Sequence, residues 1–456
     1  MKTQVFRTSR DENERLTPVS FHARRSERIQ TDPDVEIRLD PSVRYQQVRG
    51  FGGAITEAAA YTLSRLPEAA RNEVIGACFD AEVGNRYTMS RLHINSCDFS
   101  LENYDYVADG DRSLESFDIS REERWVLPVV RQARETAGGQ LFLLAAPWSP
   151  PGWMKTNGEM NHGGSLLPEF RPTWAAYLVK YLQAMRAHGV TVSALSAQNE
   201  PAATQTWDSC VYSAPEEREF VKKHLGPTLH ENDLGDVKLL IWDHNRDIMV
   251  ERVRGVLSDP EAAQYVWGVG HHWYQGEEFE NLSLVHDAFP DTHLIFTEGC
   301  QEGGVHLGSW FTGERYGRNI IGDMRNWVEG WTDWNIVLDE TGGPNHVGNY
   351  CDAPIIADTK SGELHYNSSY WYIGHFSRFV SPGSTRIDSR SAGSYVEGVS
   401  HVAFETPEGS IVTVVMNESD RDYTLRVKPT GTQEDLSMVS IEIPAHGIIT
   451  AIFPES

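Results

Sequence analysis

Cysteine is scarce in this sequence: five residues in 456, at positions 78, 97, 210, 300 and 351. An odd, widely scattered set does not read as a disulfide framework and fits reduced thiols in a cytosol. Long apolar runs are missing too. Nowhere do about 18 apolar residues follow one another, so a membrane-spanning helix is not expected. The first residues, Met-Lys-Thr-Gln-Val-Phe-Arg-Thr-Ser-Arg, lack an apolar core of signal-peptide length, and on that ground a cytoplasmic location is expected. Bases are outnumbered, 40 Lys and Arg against 65 Asp and Glu, for a formal charge of −25. That charge repels phosphate backbones and anionic bilayers, which sets aside nucleic acid and membrane insertion and favours a neutral ligand. Metal-binding spacings are absent: there is no His-Glu-x-x-His or Cys-x-x-Cys, and the neighbours His271 and His272 fall on opposite faces of a strand. Gly268-Val-Gly270 runs into His-His-Trp without the later glycine that a phosphate-binding loop needs. No metal or cofactor is implied, and nothing specifies an oligomeric state.

What is present describes a loop-rich globular chain, 40% hydrophobic with 38 Gly and 22 Pro, long enough for a large barrel plus an accessory module. Residues 1–47 open with a polar stretch and then alternate over Val35-Glu-Ile-Arg-Leu39 as a half-buried strand does. From Val48 onward short apolar runs are each followed by a helical stretch, the pattern of a parallel sheet with crossover helices. Eight runs can be found: Val48 to Ile55, Arg86 to Ile94, Leu141 to Pro147, Val192 to Asn199, Val237 to Asp243, Tyr265 to His272, His293 to Glu298 and Trp331 to Leu338. Eight strands over residues 48–380 suit an α/β (β/α)8 TIM barrel. The clearest helix shows one face through Trp174, Tyr177, Leu178, Tyr181, Leu182 and Met185 and stops near Gly189. Residues 381–456 read as short strands between turns, an all-β sandwich, and the segment 1–47 is expected to pair with it.

Active sites of such barrels sit at the C-terminal ends of the strands. The fourth run ends in Asn199-Glu200-Pro201, the sixth in His272-Trp273-Tyr274, the seventh in Thr297-Glu298-Gly-Cys300, and the eighth carries Trp334-Asn335. Glutamates at the ends of strands four and seven face each other across a barrel mouth. At a separation of about 5–5.5 Å, one carboxylate can attack a sugar while the other protonates the leaving oxygen. Trp148, Trp153, Trp273, Tyr274 and Trp334 cluster at the same end, and flat aromatic faces pack against the C–H faces of sugars. Cys300 has no partner base and reads as a packed barrel cysteine rather than a nucleophile.

The chain resembles family 30 of the glycoside hydrolases over nearly its whole length. The matching stretches are Gly50-Phe-Gly-Gly-Ala-Ile-Thr-Glu57, Arg91 through Asp98-Phe-Ser100, Pro147-Trp148-Ser-Pro-Pro-Gly-Trp153-Met-Lys-Thr-Asn-Gly158, Asn199-Glu200-Pro201, His272-Trp273-Tyr274, Thr297-Glu298, Trp334-Asn335, Gly342-Gly-Pro-Asn345 and Asn349. The resemblance implies a retaining β-glycosidase, with Glu298 as nucleophile and Glu200 as general acid/base. It further implies that Asn199 binds the sugar 2-hydroxyl, that Arg91 and Tyr274 support the nucleophile, and that Asp98, Trp148, Trp334, His272, Trp273 and Asn349 bind substrate. The expected ligand is a β-glycoside or small β-linked oligosaccharide. The activity expected is that of a β-glucosidase or glucosylceramidase-like enzyme. Endo-β-1,6-glucanase, β-xylosidase and β-fucosidase are the alternatives within the family, and a catalytically silent carbohydrate-binding protein is the alternative outside it. The loops Gly299 to Gly304 and Gln275 to Phe279 depart from the pattern of the family's glucosylceramidases and put ceramide glycosides in question.

Overall fold

The computed structural model describes residues 2–24, 33–392, 396–430 and 438–455. Its centre is a closed barrel of eight parallel strands: β1 (Gly50–Ala54), β2 (Met89–Ile94), β3 (Phe142–Pro147), β4 (Ala194–Ser196), β5 (Lys238–Asn245), β6 (Val266–His272), β7 (His293–Glu298) and β8 (Val328–Asn335). All eight expected runs contribute a strand, and β8 closes on β1 through pairs such as Gly330 with Gly50 and Trp331 with Phe51. The Gly-Phe-Gly-Gly run of β1 has a steric cause. A Cβ on Gly52 would lie 1.8 Å from the Met89 carbonyl oxygen, so only glycine lets β1 and β2 meet at this distance. The helix before β4 spans Arg171–Ala187, buries Trp174, Tyr177, Leu178, Tyr181, Leu182 and Met185, and is followed by Gly189 at φ +76°.

Several strand boundaries differ from expectation by one to three residues, and two show the cause. The fourth strand is three residues long because the chain leaves the ladder early: the Asn199 amide donates to the Pro147 carbonyl and the Glu200 amide to that of Asp243. The eighth starts earlier, at Val328, since Gly330 is the residue that pairs with β1.

Outside the barrel, ten strands form one sheet that packs as a sandwich, and three short strands, Leu338–Asp339, Ile355–Ala357 and Leu364–Tyr366, form a small separate sheet. Val35–Gln47 lies between Thr385–Ala392, antiparallel, and Tyr423–Pro429, parallel, while Gln4–Ser9 pairs with Gly447–Phe453. Thr385–Ala392 shows no clear apolar alternation in its Thr-Arg-Ile-Asp-Ser-Arg-Ser-Ala sequence and is a strand through its pairing with Val35–Gln47. Buried His375, on a helix of the barrel, hydrogen-bonds to Thr450 and Thr8 and ties barrel to sandwich. No helix among the described residues is long and apolar enough to cross a membrane.

Candidate active site

The barrel mouth opens into a cavity of about 490 Å³, lined among others by Asp98, Trp148, Asn199, Glu200, Tyr274, Glu298, Trp334 and Asn349. Glu200 follows β4 with φ +45°, an unfavourable backbone state for a residue with a Cβ. Such strain persists where the surroundings over-determine it, and here the amide bond to Asp243 does so. One Glu200 oxygen lies 3.1 Å from His272 Nδ1, and the other accepts from Gln205 at 3.4 Å. Glu298 ends β7. Its Oε1 accepts from the Tyr274 hydroxyl at 3.0 Å, whereas Oε2 is buried without a hydrogen-bond partner and has the Arg91 guanidinium at 3.4 Å. Single ligand atoms of Glu200, His272 and Glu298 all fall within 4.8 Å of one another. That spacing lies on the side of double-displacement sites, since inverting enzymes hold their carboxyl groups roughly 6.5–9.5 Å apart.

Arg91, fully buried on β2, organises the floor. It donates to the Thr297 carbonyl at 2.9 Å, to Asn199 Oδ1 at 2.7 Å and to Asp243 Oδ2 at 2.9 Å. Holding the Asn199 carbonyl leaves that side chain's NH2 group for a ligand. Trp148 and Trp334 stack with centroids 5.2 Å apart, and Arg91 sits over Trp148 at 5.1 Å, so one cation fixes both aromatic walls. Asp98 Oδ2 accepts from Asn345 at 3.2 Å and Asn349 at 2.9 Å. Burial raises the Asp98 carboxyl to about 7, with the nearby Glu298 charge adding to the rise and the two amides opposing it.

Two expected substrate contacts need correction. Trp273 does not line the cavity; it packs edge-on against Tyr316 at 4.8 Å and Trp331 at 5.7 Å in the helix layer. Side chains alternate along an extended chain, so with His272 and Tyr274 facing inward, Trp273 faces out. His272 is fully buried behind Glu200 and outside the cavity lining, touching the carboxylates rather than the space a sugar would fill. Trp153 likewise packs on Phe170 rather than in the cavity.

The sequence reading missed Asp243, His244 and Gln205. Asp243 accepts from Thr297 at 2.5 Å and Arg91 at 2.9 Å and lies 3.2 Å from His272 Nε2, which makes a buried chain Asp243, His272, Glu200. The sequence carries a signal for Asp243 and His244: β5 ends in Trp242-Asp-His-Asn245, a polar end to an apolar run like those of the fourth, sixth, seventh and eighth runs. Trp242 and Asp243 both have positive φ, and the register with β6 slips by one residue there, which re-aims these side chains.

The electrostatics follow from this chain. Burial works against a charged His272, but Glu298 and the bonds to Asp243 and Glu200 outweigh it and raise the imidazole to about 9. Burial also works against a charged Glu200, and the charges of His244 and His272 with the His272 bond bring it down to about 2. Burial lowers His244, so near neutral pH it carries little charge and His272 is the partner that matters. One proton therefore resides in the His272 to Glu200 hydrogen bond at neutral pH. Burial pushes Glu298 up, opposed by the charges of His272 and Arg91.

Comparison with known proteins agrees with this fold. Residues 48–380 match the glycosyl hydrolase family 30 TIM-barrel domain and residues 383–451 the β-sandwich domain of the same family. The lysosomal acid glucosylceramidase of Mus musculus is 36% identical over 435 residues, covering 91% of this chain and 83% of that protein. The crystal structure of SrfJ from Salmonella typhimurium superposes with a TM-score of 0.92 at 34% identity over 100% of both chains. An endo-β1,6-glucanase structure superposes with a TM-score of 0.88 at 27% identity, again over 100% of both. The chain belongs to glycosyl hydrolase family 30 and is a retaining glycoside hydrolase of β-linked sugars.

Proposed function

We propose that the protein is an exo-acting β-glucosidase, related to the glucosylceramidases in its inner subsite, with Glu298 as nucleophile and Glu200 as acid/base. The observation that carries this is the Glu200 and Glu298 pair, with ligand atoms within 4.8 Å, at the ends of two strands across one cavity. Asp98, Trp148, Trp334 and Asn349 hold the terminal sugar, and the Asn199 NH2 group meets its 2-hydroxyl. Glu298 Oε2, free of hydrogen bonds, attacks the anomeric carbon while Glu200 gives a proton to the leaving oxygen. A bound sugar displaces water from Glu200 and so favours its neutral form, drawing the proton across the 3.1 Å bond from His272. In the second step Glu200 takes a proton from the water that releases the sugar.

A second reading, endo-β-1,6-glucanase action, is favoured by the outer cavity. Beyond Glu200 it continues along Gln205, Trp207, His244, Asp247 and Gln275, an aromatic and polar lining suited to another sugar rather than to two lipid chains. Hydrolysis of p-nitrophenyl β-glucoside, β-xyloside, β-fucoside and β-galactoside beside gentiobiose and a β-1,6-glucan tests both. Preference for the β-glucoside with gentiobiose cleavage supports exo action. Cleavage of the polymer to oligosaccharides with slow turnover of gentiobiose replaces it with the endo reading, and silence on every substrate refutes both.

A further inference from the structure

Two of the five cysteines are neighbours, and they meet at the catalytic cavity. Cys300 follows the nucleophile on the loop after β7, and Cys351 lies on the loop after β8, two residues past Asn349. The loops are held together by an isolated bridge between Glu302 and Cys351 and by the Asp352 amide on the Gln301 carbonyl at 2.8 Å. Both thiols line the cavity, both are 3% exposed, and both pack into one small buried cluster with Trp334 and Ala353. Cys300 Sγ is also 3.5 Å from the Tyr274 hydroxyl that holds Glu298.

We propose that Cys300 and Cys351 form a two-thiolate site for one soft closed-shell cation of the silver(I), copper(I) or mercury(II) class, in the cavity wall beside the nucleophile. Soft sulfur ligands select such ions, and two donors satisfy their low coordination numbers. Binding releases both thiol protons to solvent and forms two metal–sulfur bonds, with no electron transferred. The surroundings select a cation: Asp98, Glu200, Glu298 and Glu302 line the same cavity, so its field attracts positive ions and repels anionic disulfides. The neighbouring Cys351 and burial raise the Cys300 thiol well above its ordinary value, which disfavours nucleophilic chemistry; a metal must displace the thiol proton, so binding tightens as pH rises. An ion seated here disturbs the bond from Tyr274 to Glu298, and sugar transfer to the nucleophile stops. That last consequence rests on the function proposed above, whereas binding does not.

Silver nitrate titrated into the protein in chloride-free buffer tests both parts, with native mass spectrometry counting bound ions and hydrolysis of an aryl β-glucoside followed in parallel. The expected result is one tight ion per chain, activity falling in step with its occupancy, and recovery on adding dithiothreitol. Cys351→Val and Cys351→Ser, each compared with its own untreated sample, should raise the silver concentration for half occupancy on the order of 100-fold, because losing one donor forfeits the chelate effect. If both variants bind the first ion as tightly as the unaltered chain, the ion sits elsewhere, for instance on Glu200, His272 and Glu298, and the inference is wrong. Full occupancy with unchanged turnover overturns the inhibitory role. Absence of turnover before any silver is added counts against the glycosidase reading, and the mass measurement still decides the ion site.

Discussion

Replacing Tyr274 by phenylalanine removes one oxygen and keeps the ring that packs edge-on to His272 at 6.0 Å. The lost hydroxyl donates to Glu298 Oε1 at 3.0 Å, and Oε2 has no hydrogen bond to compensate. A hydrogen bond to a charged group contributes about 1.5–3 kcal/mol, and about 1.36 kcal/mol corresponds to one pH unit of proton affinity. The variant's Glu298 should therefore hold its proton about 1–2 pH units higher. Nucleophilic attack needs the ionised form, so activity is lost as pH falls through the Glu298 value, and Tyr274→Phe moves this acid limb upward. In kcat/KM against pH for an aryl β-glucoside, the variant should be roughly 10- to 100-fold slower on the acid side, with the gap narrowing toward neutral pH. An acid limb unmoved by the substitution would refute the pairing of Tyr274 with an ionised nucleophile, even if overall activity dropped.

The two glutamates should separate in a leaving-group series. Glu298→Ala should lose turnover of all aryl β-glycosides and regain it with azide as the glycosyl azide of inverted configuration. Glu200→Ala should keep forming the intermediate with good leaving groups and lose about 10²–10⁴-fold on poor ones; equal loss on both refutes its role as the acid. Asp243→Asn leaves Arg91 without its fully buried ion-pair partner, a change that costs about 3–5 kcal/mol. Its thermal midpoint should fall by several degrees. It should also weaken the hold of His272 on the shared proton, so the alkaline limb, set by loss of that proton as pH rises through about 9 in the unaltered protein, should move downward. A lowered midpoint with an unmoved alkaline limb would make Asp243 purely structural.

The barrel was legible because each strand is a short apolar run buried on both faces, and such runs stand out against the amphipathic helices between them. The long helix Arg171–Ala187 was legible for the complementary reason, a strict 3.6-residue period ended by glycine. Glu200 and Glu298 were legible because polar residues closing an apolar run have one place to go in a barrel, the mouth, whereas Asp98 and Asn349 came only with the family resemblance. What the sequence could not supply was direction and company. Whether Trp273 or its neighbours face inward depends on the pleat at the end of β6, and the slip in register between β5 and β6 that aims Asp243 toward His272 is a property of two strands together. Asp243 and Arg91 are 152 residues apart, and Cys300 and Cys351 lie on different loops. Their chemistry arises only when barrel closure removes water and places these groups within a few ångströms. Local pattern determined the fold and the identity of the polar strand ends, while tertiary packing decided which groups share a proton, a charge or a wall, because those couplings act through space.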